Sequence, residues 1–151
     1  MSNGVTNMIE PVKIWNNVTG VIETTDPAVP MNAPMSLIMK LTVNRISNTK
    51  WSKIFCRKGS WAVECPPLQY KHPEYSGKID MEITDIKDVF SNISMPIGRL
   101  VYVAITYDKI NAKFYIDGAL KQSVPCTATP KQGNGTVYPD TFDGIIESAK
   151  V

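Results

Sequence analysis

The sequence has little histidine and cysteine, and this limits the chemistry that the chain can perform. One His and three Cys occur among the 151 residues. His72, Cys56, Cys65 and Cys126 lack the paired spacing of zinc ligands. An odd number of cysteines is also unusual in the disulfide frameworks of small secreted domains. We therefore expect no metal site, no other cofactor and thiols that stay reduced.

Long apolar runs and an excess of one charge sign are missing too. The 16 Lys and Arg residues and the 14 Asp and Glu residues are spread along the chain and give a formal net charge of +2. This mixture does not predict a nucleic-acid partner. No segment approaches the roughly 20 apolar residues of a membrane span. The N-terminal residues show neither a basic leader nor an apolar h-region, which predicts cytoplasmic synthesis without a signal peptide.

Helical periodicity is absent as well, whereas strand alternation is clear. The 11 Pro and 9 Gly interrupt the chain at short intervals, and no stretch keeps an apolar stripe at helical spacing. Residues 98–124 predict three consecutive antiparallel strands, and the first carries alternating apolar side chains at Val101, Val103, Ile105 and Tyr107. Asp117 and Gly118 predict a two-residue type I′ turn, which requires positive φ at both centres.

Four segments together resemble a known superfamily. Residues 98–124, with the runs AITY and FYIDG, resemble the central hairpins of laminin-G-like and concanavalin A-like domains. Residues 35–43 (MSLIMKLTV) resemble an early core strand, residues 53–59 (KIFCRKG) the next strand and turn, and residues 142–151 (FDGIIESAKV) the closing strand. The resemblance implies an all-β fold, a two-sheet antiparallel β-sandwich of the concanavalin A-like jelly-roll type. It covers the chain, so residues 1–151 are expected to form a single jelly-roll domain.

Three Pro-rich or Gly-rich segments predict loops between the strands. They are residues 24–34, 65–77 and 125–139, and the last is expected to be the most mobile. Cys56 and Cys65 could face each other across a hairpin that turns at residues 58–60. In a reducing compartment we expect them to be two buried thiols.

One acidic strand is a candidate catalytic site. Residues 77–85 read GKIDMEITD, and alternation places Lys78, Asp80 and Glu82 on one face. The run is similar to the Glu-Ile-Asp-x-Glu signature of laminarinase-type glucanases, in which Lys78 would occupy the position of the nucleophilic Glu. An ammonium group cannot form the glycosyl-enzyme ester of a retaining mechanism. Catalysis is therefore not expected, and Asp80 and Glu82 are interpreted more simply as part of a solvated strand face.

Aromatic residues outside the strongest strands suggest a ligand-binding site. Trp61, Tyr70 and Tyr75 could stack on a pyranose ring, with Asp80 and Glu82 nearby to bind hydroxyl groups. The alternative is that these rings pack in the core or anchor a loop. An aromatic cleft beside the two carboxylates would favour the first interpretation.

Two functions from different classes follow from these observations. The first is a non-catalytic structural or accessory subunit whose partners are other protein subunits of a larger assembly, such as a minor capsid protein incorporated in a virus particle. The alternative is a lectin-like module that binds a glycan. A more remote alternative is a relative of glycoside hydrolases that has lost its nucleophile.

Overall fold

The structure is a computed structural model, and it describes residues 14–18, 24–25, 35–57, 59–131, 136–138 and 143–150. Within these residues the chain forms twelve β-strands and a short 3-10 helix, Pro73–Tyr75. The strands are β1 (Ile14–Val18), β2 (Thr24–Thr25), β3 (Met35–Arg45), β4 (Ser52–Arg57), β5 (Trp61–Cys65), β6 (Lys78–Ile83), β7 (Lys87–Ser94), β8 (Leu100–Tyr107), β9 (Asn111–Ile116), β10 (Ala119–Pro125), β11 (Thr136–Tyr138) and β12 (Asp143–Lys150).

The strands pair in two antiparallel sheets that form a sandwich. Sheet 1 has the order β1-β12-β3-β8-β9-β10, and sheet 2 has the order β2-β11-β4-β5-β6-β7. Leu37 and Met39 of sheet 1 and Ile79 and Met81 of sheet 2 belong to one hydrophobic core, which therefore lies between the sheets. The predicted two-sheet antiparallel β-sandwich is confirmed.

The meander predicted at residues 98–124 is present as β8, β9 and β10. The alternating apolar residues of β8 are all buried, which directs this face to the core. Asp117 and Gly118 have φ values of 49° and 83°, as the predicted turn requires. The Asp117 carboxylate also accepts a hydrogen bond from the Tyr102 backbone N–H and forms an ion pair with Arg99. The turn therefore combines backbone geometry with side-chain bonding.

Replacing Gly118 with Ala is expected to lower the free energy of unfolding by about 1–2 kcal/mol, because a left-handed conformation costs an L-residue this much. An added Cβ would meet no atom within 4 Å, so steric contact adds nothing to this cost. Chemical denaturation measures the effect. The exposed neighbour Lys121→Ala serves as control and should change stability by less than about 0.5 kcal/mol. A neutral Gly118→Ala variant would contradict the assigned turn conformation.

The hairpin of β4 and β5 does not place Cys56 opposite Cys65. Its register pairs Cys56 with Ala62 and Cys65 with Ser52, so the two cysteines lie at different distances from the turn. Cys56, Cys65 and Cys126 are all buried, and none of them forms a disulfide bond. The suggested facing pair is wrong, because the turn pairs Arg57 with Trp61 and so sets Cys56 opposite Ala62. A bulge between Lys53 and Phe55 then moves Cys65 opposite Ser52.

The remaining segments agree with the predicted strand order. Residues 143–150 form β12, which pairs with both β1 and β3. Most of the loop predicted at 24–34 and much of the loop predicted at 125–139, including residues 132–135, lie outside the described residues. In the part of the chain that the structure describes, no helix has the length and hydrophobicity needed to cross a bilayer.

Candidate functional site

The outer face of sheet 2, the face turned away from the core, carries three neighbouring carboxylates. Because side chains alternate along a strand, β6 directs Ile79 and Met81 to the core and Asp80 outward. The register places Glu64 of β5 directly opposite Asp80. Asp88 of β7 lies diagonally across from it, and oxygen atoms of Glu64, Asp80 and Asp88 all lie within 4.8 Å of one another. These three residues are called the acidic triad below.

Two members of the acidic triad are withdrawn from water. Asp80 is 0% exposed and Glu64 is 2% exposed, whereas Asp88 is partly exposed. The interpretation of Asp80 as part of a solvated face is therefore wrong. The connection from β5 to β6 accounts for the difference, since its aromatic side chains lie beside this face. Strand alternation predicts which face a side chain occupies, but it does not predict that a loop covers that face.

Burial and mutual repulsion raise the pKa values of the two buried carboxyl groups. For Asp80 the rise comes from burial and then from the charges of Asp88 and Glu64. For Glu64, burial and the charge of Glu82 raise the pKa to about 7, although Lys53 acts in the opposite direction. Neither Oδ atom of Asp80 has a hydrogen-bond donor among the described residues. The carboxyl groups can therefore hydrogen-bond to one another only by sharing a proton.

Aromatic rings cluster beside the acidic triad. Phe90 is the cross-strand neighbour of Asp80 on β7. The Tyr75 ring stacks on Phe90 at a centroid distance of 4.1 Å and an interplanar angle of 11°. Tyr70 lies 6.4 Å from Phe90 and packs edge-on against Trp51 at 5.2 Å. His72 completes the group at 5.4 Å from Tyr70. We call Trp51, Tyr70, His72, Tyr75 and Phe90 the aromatic cluster.

The local sequence explains how these rings reach the sheet. Pro66, Pro67 and Pro73 restrict the backbone of the connection, and Pro73 begins the 3-10 helix that carries Tyr75. The two ends of the connection are joined because the Gly77 N–H donates to the Pro66 carbonyl at 3.0 Å. The connection is therefore a closed loop whose aromatic side chains lie against β7.

The charges of the acidic triad act on the aromatic cluster. Burial raises the pKa of the Tyr70 hydroxyl, and the charges of Asp88 and Asp80 raise it further. The structure thus places Tyr70 and Tyr75 on the same surface as Asp80, since both rings pack against Phe90, the cross-strand neighbour of Asp80. Tyr70, Tyr75 and Phe90 are only partly buried, so the surface is open to solvent.

Trp61 does not belong to this surface. Its side chain is 0% exposed, and its ring lies 6.4 Å from that of Phe55 within the hydrophobic core. Alternation along β5 explains the position, because Trp61 and Val63 point inward while Glu64 points outward. The predicted stacking of a ligand on Trp61 is wrong for this conformation, since no ring face is accessible.

Glu82 lies at the edge of the surface. It is partly exposed, is paired in register with Ala62 and Asp88, and accepts a 3.4 Å hydrogen bond from Thr84. It raises the pKa of Glu64 but is not a member of the acidic triad. Sequence analysis missed Glu64, Asp88 and Phe90. Alternation could have identified Glu64 as an outward residue, but only the register of β5, β6 and β7 brings the three together.

Comparison with known proteins identifies the fold. No protein-family model matches the chain, and no curated protein sequence matches it. Among solved structures, the galectin LEC-6 of Caenorhabditis elegans matches 91% of this chain and 94% of its own, with a TM-score of 0.60 and 8% identity. The chain has a jelly-roll β-sandwich fold.

Two further jelly-roll structures match at similar levels. The CBM40 domain of the Ruminococcus gnavus IT-sialidase, bound to α2,3-sialyllactose, has a TM-score of 0.61 and 12% identity over 93% of this chain and 91% of that domain. Domain 4 of the arabinanase AbnA from Geobacillus stearothermophilus, in complex with arabinotriose, has a TM-score of 0.63 and 15% identity over 88% and 68%. At these identities the matches show the fold alone. The glucanase-like signature at residues 78–82 stays a prediction.

Proposed function

We propose that the protein is a non-catalytic carbohydrate-binding module that holds its ligand on the outer face of sheet 2. The observation that carries the proposal is the meeting of the aromatic cluster with the acidic triad on one partly exposed surface. A sugar has apolar C–H faces and a rim of hydroxyl groups, so a site for it combines ring surfaces with hydrogen-bonding groups. Tyr70 and Tyr75 supply the rings, and Asp88 and Glu82 supply accessible acceptors.

The structural neighbours support this choice of ligand class. The CBM40 and arabinanase domains of the same fold were solved with sialyllactose and arabinotriose respectively. These ligands provide the first probes. The hypothesis of a structural subunit in a virus particle stays a prediction, because the three structural neighbours do not bear on it. The partner that we propose is therefore a glycan.

The arrangement of the carboxylates supports binding without hydrolysis. Retaining hydrolysis requires a carboxylate nucleophile that contacts the anomeric carbon and a second carboxyl group about 5 Å away. Asp80 and Glu64 are near one another, but both are buried and neither reaches a bound substrate in this conformation. Lys78 is at the position that a glucanase nucleophile would occupy, and its ammonium group cannot replace a carboxylate.

Replacing Tyr75 with Ala is expected to weaken glycan binding by tenfold or more, because the substitution removes one of the two rings on which the sugar would stack. Tyr70→Ala should have a similar effect. A glycan array that includes sialylated and arabinose-containing oligosaccharides would identify a ligand for the wild type. Titration calorimetry with that ligand would then give the dissociation constants of the variants.

Tyr102→Ala provides a matched control, because Tyr102 is a 48% exposed tyrosine in β8 of sheet 1. Its removal should leave glycan affinity unchanged. Tyr75→Phe separates the two roles of the ring, since stacking survives and the hydroxyl is lost. The proposal fails if the wild type retains no glycan on the array. The assignment of the surface fails if Tyr70→Ala and Tyr75→Ala fold and bind as tightly as the wild type.

A further inference from the structure

The acidic triad has a feature that a solvated acidic patch does not have. Asp80 is 0% exposed, yet neither of its carboxylate oxygens has a hydrogen-bond donor in the described residues, and the same holds for Oε2 of Glu64. Both side chains direct oxygens towards the point shared with Asp88. An ionised carboxylate that is buried without donors costs several kcal/mol. The negative charge of these carboxylates must therefore be compensated by cations or by protons.

Cationic side chains account for only part of the compensation. Lys53 is the cross-strand neighbour of Glu64 and acts against the rise of its pKa. At Asp80 the largest influences on the pKa are burial and then the repulsion of Asp88 and Glu64, none of which compensates its charge. Glu82 adds a further negative charge near Glu64. The remaining possibilities are shared protons or a bound cation.

The spacing of the oxygens matches a metal ion. Oxygen ligands of Ca²⁺ lie at 2.3–2.6 Å from the ion, so two ligands of one ion are at most about 5 Å apart. All three carboxylates of the acidic triad meet this limit with oxygens within 4.8 Å of one another. The ligand set contains oxygen alone, which suits Ca²⁺ rather than the nitrogen and sulfur preference of zinc.

We propose that Glu64, Asp80 and Asp88 bind a divalent cation of the calcium class on the outer face of sheet 2. Glu64 and Asp80 form the buried side of the site. Asp88 is partly exposed, so the ion and its water ligands reach the site from its side, next to an open depression of about 370 Å³ that Asp88 lines with Glu82 and Asp85. Calcium is preferred to magnesium because it accepts irregular geometry, whereas Mg²⁺ requires a near-ideal octahedron. The expectation from the sequence of no metal site is revised by this proposal.

The test uses the metal alone, so its result does not depend on carbohydrate binding. The full chain is stripped with a chelator, and its melting temperature is measured with and without Ca²⁺. At Ca²⁺ about 100-fold above the dissociation constant, we expect the melting temperature to rise by about 5–10 °C. Calorimetric titration should give one ion per chain. Tb³⁺ in the same site should show emission sensitised by the neighbouring Tyr70 and Trp51.

Asp80→Asn is the decisive variant, because it keeps the shape of the side chain and removes a central ligand charge. We expect it to abolish both the thermal shift and the sensitised emission. Glu82→Gln is the matched control, since it removes a negative charge from the same face of the same strand outside the acidic triad. It should retain the shift. Glu64→Gln provides a second test if Asp80→Asn fails to fold.

Three outcomes would overturn the proposal. They are no thermal shift with Ca²⁺ in the wild type, an equal shift in wild type and Asp80→Asn, or a loss as large in Glu82→Gln as in Asp80→Asn. The first would indicate that shared protons, and not a cation, compensate the charge of the acidic triad. The other two would assign any calcium effect to non-specific attraction by surface charge. A shift with Mg²⁺ that equals the shift with Ca²⁺ would contradict the calcium class.

Discussion

In buffer that contains a chelator, the protein is expected to lose stability as the pH rises from about 4 to about 10, and Asp80→Asn is expected to remove most of this loss. The folded state raises the pKa of Glu64 from 4.5 to about 7 and raises that of Asp80 further. A group whose pKa is raised on folding contributes stability below its unfolded pKa and loses this contribution as the pH rises through its folded pKa. The sign is therefore the reverse of that for a salt-bridged carboxylate.

The shift at Glu64 alone corresponds to about 3 kcal/mol of this loss, and the larger rise at Asp80, which Asp80→Asn removes, adds to it. Guanidinium unfolding at pH 5 and pH 9 measures it. Asp85→Asn is the control, because Asp85 is exposed, pairs with Lys131 and is not a member of the acidic triad. The pKa values of Asp108 and Asp117 are lowered, first of all by a backbone hydrogen bond to each carboxylate. Their contribution to the stability of the fold is therefore lost only as the pH falls into the acid range. A wild-type protein equally stable at both pH values would show that the triad is not repulsive.

This experiment also separates protons from metal at the acidic triad. Shared protons relieve the repulsion at low pH and leave it uncompensated at high pH. A bound Ca²⁺ relieves it at high pH, where the carboxylates are ionised and the ion binds best. Calcium should therefore restore at pH 9 much of the stability that the chelated protein loses there.

The succession of strands along the chain was predictable because its signals are local. Alternation in β8 and the Asp117–Gly118 turn each depend on a few consecutive residues, and both are confirmed. The facing pair of Cys56 and Cys65 was wrong because the register was misjudged: a turn that pairs Arg57 with Trp61 sets Cys56 opposite Ala62. Local patterns therefore specify which elements form more reliably than they specify which residues face each other.

The candidate site depends on long-range contacts, and the sequence showed it only in part. Tyr70, Tyr75 and Asp80 were identified from residue type and position, and the structure brings them together through Phe90. Glu64 and Asp88 were missed because they come from two other strands. Trp61 was wrongly assigned to the ligand site, because a hydrophobic residue at the start of a strand can point to either face. The alternation of side chains along β5 directs Trp61 to the core.

Trp61→Ala is expected to lower the free energy of unfolding by about 3–5 kcal/mol, because it removes a large side chain from a close-packed core. Trp61 is fully buried and packs with Phe55. Total stabilities of about 5–15 kcal/mol are typical, so this single change could remove a large share. Thermal and guanidinium unfolding measure it. A cost below about 1 kcal/mol would contradict the placement of Trp61 in the core.

Trp61→Phe distinguishes a core residue from a ligand residue. Phenylalanine fills most of the same volume and removes an indole N–H that has no acceptor within the described residues, so we expect a smaller cost of about 1–2 kcal/mol. The folded variant should bind glycan and calcium as the wild type does. Tyr75→Ala should show the opposite combination, with affinity reduced and stability nearly kept, because its ring lies on a partly exposed surface. Stability and affinity therefore respond to different aromatic residues if the surface of sheet 2 is the binding site.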